Sequence, residues 1–139
     1  MTERREAREL ALQCLHQWDQ QPDQGRELSE TLILERASDE DVAAYARRIL
    51  VQFWKHRDEV DGVIEGVADN WRLARMAVVD RSVLRMAVAE MRYIPSVPPK
   101  VSVDEAIELA KRYSTEKSGA FVNGILDRIL HQEESNDGA

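Results

Sequence analysis

The residues whose types and spacing could do chemistry are two groups of cations. Arg4, Arg5 and Arg8 stand near the start of the chain, and Lys111, Arg112 and Lys117 flank a short polar stretch from Ser114 to Ser118. Arginine presents a planar fork of donors that matches phosphate or carboxylate, so the chemistry on offer is recognition rather than bond making. Glu3, Glu6 and Glu9 interleave with the first group. On charge alone, a solvated helix start is the favoured reading of that group, and the second group reads the same way. Phe121 follows close behind. An aromatic there either packs on the core or stacks on an unpaired base.

Catalysis finds little support. His16, His56 and His131 are far apart and lack the i, i+4 partner that would make a metal-binding pair. The glycines form no phosphate-cradling loop. The carboxylates lie among basic residues at helical spacing, as ordinary solvating and pairing charges do. No enzyme, catalytic residue, metal or cofactor is therefore expected. Cys14 is the single cysteine and falls on an apolar helix face. That fits a small buried residue in a reducing compartment better than a reactive thiol.

A net charge of -7 argues against sequence-blind binding of nucleic acid, because that affinity comes from neutralising phosphates. It leaves room for a focused RNA site. Glu133, Glu134 and Asp137 load the end of the chain with negative charge. No apolar run is long enough to span a bilayer, and the first residues are not of signal-peptide type, so a cytoplasmic protein with no membrane partner is expected. With 139 residues the chain can build one domain with a real core.

These side chains must be positioned by helices. Ala7, Leu10, Ala11, Cys14, Leu15 and Trp18 repeat at helical spacing until Pro22 and Gly25 break the pattern. A short helix is expected over Leu28 to Leu34. Ser38 to Asp41 then reads as an N-cap for a stripe running from Val42 through Phe53 and on to Val67. That run is longer than most globular helices, which favours two helices joined near His56 to Asp61. Gly62 and Gly66 suggest a close helix crossing. Leu73 to Met91 forms another helix, and Pro95 to Pro99 a rigid connector. Ser102 and Glu105 fit a capping box for the next helix. The last runs from about Ser118 to Leu130, with Asn123 and Gly124 inside it; the glycine suggests a close approach. Trp18, Trp54 and Trp71 share no face by spacing and read as core or edge residues. The expectation is a single all-α domain of about seven helices over 1–132, followed by a disordered acidic tail over 133–139.

Several blocks together carry a resemblance. Val79-Asp-Arg-Ser-Val-Leu-Arg-Met-Ala87, Ile94-Pro-Ser-Val-Pro98, Val103-Asp-Glu-Ala-Ile-Glu-Leu-Ala-Lys111 and Glu116-Lys-Ser-Gly-Ala-Phe-Val-Asn-Gly-Ile-Leu-Asp127 resemble the NusB family of bacterial transcription antitermination factors. The resemblance is strongest from residue 70 to Ile129. It continues at the start, in Arg4 to Gln13 and Trp18.

The resemblance implies two small helical bundles packed together. It implies binding to NusE, a ribosomal small-subunit protein, and joint capture of the boxA element of single-stranded nascent RNA. In that role the protein would serve the transcription elongation complex on ribosomal RNA operons. Carried over by position, Arg4, Arg5, Arg8, His16, Lys117, Ser118 and Phe121 fall at the RNA, and Asp80 and Arg81 where the protein partner docks. His16 replaces a common tyrosine, Glu6 interrupts the arginines, and Ala120 replaces a common lysine, which together imply weak RNA binding without NusE. A homodimer through the same face is an alternative state. Two other readings are the NusB-like domain of a ribosomal RNA cytosine methyltransferase and a protein-interaction module without RNA binding.

Overall fold

The computed structural model describes residues 2–69 and 72–138, with side chains as far as Ser135. The expected core or edge position of Trp71 lies outside the described residues. Among the described residues seven α-helices follow one another: α1 (Glu3–Gln20), α2 (Gly25–Arg36), α3 (Glu40–Lys55), α4 (Arg57–Val67), α5 (Val78–Tyr93), α6 (Pro99–Tyr113) and α7 (Glu116–Gly138). Short 3-10 turns at Pro22–Gln24 and Leu73–Arg75 join α1 to α2 and lead into α5. No described helix is long and apolar enough to cross a membrane.

α1, α2 and α3 pack on one another, and so do α4, α5, α6 and α7; α1 and α3 lie against α5 and join the two bundles. α5 is the central element. Every residue from Ser82 to Met91 is buried. A helix closed to water on all sides must satisfy its polar side chains internally. Arg85 and Glu90 therefore need partners from other helices.

Two local expectations change. Ser102 is not a cap, because Pro99 already occupies the first turn of α6 and Pro98 precedes it. Proline suits that position because its missing N–H would have no partner there. Ser102 instead lies inside the helix, with its hydroxyl buried and unbonded. The cap signal over Ser38 to Asp41 resolves to Asp39, which accepts from the Val42 N–H at 2.9 Å. α7 runs on to Gly138, past its expected end near Leu130, since no proline or internal glycine interrupts it there.

The glycines also move. A Cβ on Gly62, Gly66 or Gly124 would meet nothing within 4 Å, so none of them serves a close approach. Gly119 does. A Cβ there would lie 2.6 Å from Lys111 Cγ, where α7 starts against α6. Trp18 and Trp54, which share no face by spacing, meet edge to face at 4.9 Å beside Phe53. Cys14 is buried against the Ser29 carbonyl, and burial pushes its thiol up to about 11, which keeps it protonated and inert.

Candidate nucleic-acid interface

The interface begins at the first turn of α1. The Thr2 hydroxyl accepts from the Arg5 N–H at 3.1 Å and caps the helix. Glu3 and Glu6 suit the positive end of the helix dipole, whereas Arg4, Arg5 and Arg8 oppose it. Helix stability therefore does not explain the arginines. Their contacts do.

Arg8 is buried. Its Nε donates to both Glu90 oxygens at 3.0 and 2.9 Å, and the Tyr45 hydroxyl donates to the same carboxylate. This closes the polar account of α5 at Glu90 and ties α1, α3 and α5 together. Burial, and next the bond to Glu90, push the Tyr45 phenol up to about 12. The Arg4 guanidinium lies 3.7 Å above the centre of the Tyr45 ring. Arg8, expected at the RNA, is thus a brace beneath the surface, and Arg4 is the exposed residue that rests upon it. Glu6, which interrupts the arginines in sequence, turns away to bind the Ser38 N–H and hydroxyl at 3.0 and 2.8 Å.

Arg5 faces α6, where its Nε donates to both Glu105 oxygens at 3.1 and 3.0 Å. Beside this pair runs a groove of about 540 Å³ lined by Arg5 and Glu9 of α1, Glu105, Glu108, Leu109, Lys111 and Arg112 of α6, and Glu116 of α7. The structure thus brings Arg5 of the first cationic group and Lys111 and Arg112 of the second to the walls of one groove. Three cations there face four carboxylates, so the attraction for a polyanion is largely cancelled within the groove itself.

The junction of α6 and α7 closes this groove. The Thr115 hydroxyl accepts from the Ser118 N–H at 3.1 Å, and the Ser118 hydroxyl donates to Ser114 at 2.9 Å. Ser118 is buried, so its side chain shapes the turn instead of facing a ligand. Lys117 beside it is exposed. Phe121 is half-buried against the core.

Tyr113 joins the candidate residues only through its place in the fold. It ends α6, 38% exposed, with its hydroxyl on Glu9 and burial raising its phenol pKa. It also lines a second cavity of about 460 Å³ with Leu12, Gln13, His16, Gln17 and Val79. An aromatic between a charged groove and an amide-rich cavity is a natural stacking platform. In sequence it looks like one more apolar residue at a helix end, and only its position between the two cavities marks it.

His16 lies in that second cavity, about 16 Å along α1 from Arg5. It is thus placed beside Val79 at the start of α5, next in sequence to Asp80. Asp80 is buried there, with one carboxylate oxygen unbonded. Arg81 is occupied within the chain: it grips both oxygens of Asp19 and donates to the Leu73 and Met76 carbonyls at 3.3 Å. Arg85, one turn on, reaches Asp19 at 3.0 Å and both oxygens of Asp61 at 2.9 and 3.1 Å. As a metal site the described residues offer only the exposed cluster of Glu3, Asp39 and Asp41, of which Asp39 already caps α3.

Comparison with known proteins places this geometry. The NusB family model matches residues 5–131. The transcription antitermination protein NusB of Salinibacter ruber is 46% identical over 132 residues, covering 94% of this chain and 82% of that protein. Among solved structures, a chain of antitermination factors NusB and NusE in complex with double-stranded RNA matches with a TM-score of 0.86 at 31% identity, covering 95% of this chain and 98% of that one. T. maritima NusB matches with a TM-score of 0.83 at 39% identity, covering 93% and 91%. With both sequence and fold matched over nearly its whole length, this chain belongs to the NusB family.

Proposed function

We propose that the chain is a transcription antitermination factor that binds the boxA element of nascent RNA together with NusE, in the cytoplasm. Its relationship to NusB proteins over nearly its whole length carries this reading. Arg4, Arg5 and Lys117 contact phosphates, while Tyr113 and Phe121 offer aromatic faces to unstacked bases. Arg8 acts from below, by fixing the end of α1. His16 belongs with Val79, Asp80 and Arg81 on the side where NusE docks.

The cancelled charge of the groove makes RNA binding by the chain alone weak. NusE supplies the missing contacts. Titrating labelled boxA RNA against the protein with and without NusE tests this: affinity should rise at least about tenfold with NusE present. Equal, tight binding without NusE would overturn it.

A further inference from the structure

Arg4 and Arg48 are the two cations lining a cleft of about 330 Å³ between α1 and α3, together with Glu3, Asp41, Ala44 and Tyr45. Among the described residues neither arginine is ion-paired, in contrast to Arg5, Arg8 and Arg112, each of which has a carboxylate partner. Arg4 is stacked 3.7 Å over the Tyr45 ring. Stacking engages the face of the guanidinium and leaves the donors in its plane free. The ring is itself held, since its hydroxyl donates to Glu90, which Arg8 pairs from the other side. A guanidinium whose plane is fixed and whose edge is free is prepared for a bidentate anion.

We infer that Arg4 and Arg48 form a seat for one phosphate of the bound RNA, extending the interface from α1 onto α3. The inference rests on the proposed RNA-binding function and adds Arg48, which neither the cationic groups nor the family resemblance pointed to. Glu3, Asp39 and Asp41 cluster near the seat, with carboxylate oxygens within 4.8 Å of one another. Their repulsion keeps loose polyanion binding low, so occupancy depends on both arginines acting on the same phosphate.

The test measures boxA RNA affinity of the full chain with NusE, as a function of salt, for Arg48→Ala, Arg4→Ala and the double variant. Arg26→Ala serves as control; it removes the same charge beside Trp54, about 14 Å further along α3 than Tyr45. Each single variant should weaken binding about fivefold to tenfold, and the double variant little more. The slope of log affinity against log salt should fall by about 0.7, the value for one phosphate of a single strand. Arg48→Ala binding as tightly as Arg26→Ala would overturn the seat, and so would a slope change of about 1.4, which means two separate phosphates. If Arg5→Ala and Lys117→Ala weaken binding while Arg4→Ala and Arg48→Ala do not, the seat alone fails. If none of the four matters, the RNA-binding reading of this surface fails with it.

Discussion

At the first turn of α1 the Arg5 side chain is 57% exposed although it is paired with Glu105, whereas at the last turn Asp19 is 9% exposed and held by Arg81 and Arg85. Both ends of the helix carry ion pairs to distant parts of the chain. At the first end the pairs lie in water, where screening and side-chain entropy leave them little strength, so a phosphate can compete for the same guanidinium. At the last end the ions are removed from water and bonded on several sides, so they fix the backbone around the start of α5. The difference shows that an arginine's role here follows from its burial and partners. Arg8 makes the point within one helix: a single turn from Arg4, it belongs to the buried class.

The largest effect should come from Arg8→Ala, which strands the buried Glu90 carboxylate. We expect about 3–5 kcal/mol of destabilisation in urea unfolding. A loss under about 1 kcal/mol would mean that water reaches Glu90, and the contrast between buried and exposed arginines would collapse. Asp19→Ala should cost less, about 2–3 kcal/mol, because Arg85 retains Asp61 and Arg81 retains its carbonyl partners. It should also weaken NusE binding more than RNA contacts near Arg4, and the reverse ranking would place the docking side elsewhere.

A third effect is set by pH. Burial, then the Glu90 bond, hold the Tyr45 phenol near 12, above its ordinary value of 10. Its contribution to stability is thus fully present below pH 10 and is lost as pH rises through 12. Tyrosinate absorbance and helical circular dichroism should change together in that window. Ionisation of all three tyrosines at pH 10 without loss of helix would show that the network above Glu90 is open. Arg5→Ala should be the mildest for stability, within about 0.5 kcal/mol, while still lowering RNA affinity of the NusE complex. A larger stability loss would move Arg5 into the structural class.

The helices were legible because their signals are local. Apolar residues at helical spacing, Pro22 and Gly25, and the interruption near His56 mark the path of the chain before any contact is known. Family membership was legible for a similar reason, since the blocks from Val79 to Asp127 are contiguous text. Misplaced local features trace to competition between neighbouring signals. Ser102 has the form of a cap, but Pro99 starts the helix earlier. Glycine spacing suggested crossings at Gly62, Gly66 and Gly124, while the close approach occurs at Gly119, against a lysine stem from another helix.

The sequence by itself determined a seven-helix chain, its family and two cationic groups, because periodicity, breakers and short motifs act over a few residues. Only the tertiary structure decided which cations face water. Arg8 and Glu90 are 82 residues apart, and Arg81 and Asp19 are 62 apart. Whether a charge is a brace or a contact depends on the dielectric and the partners that packing supplies, and no local pattern encodes either.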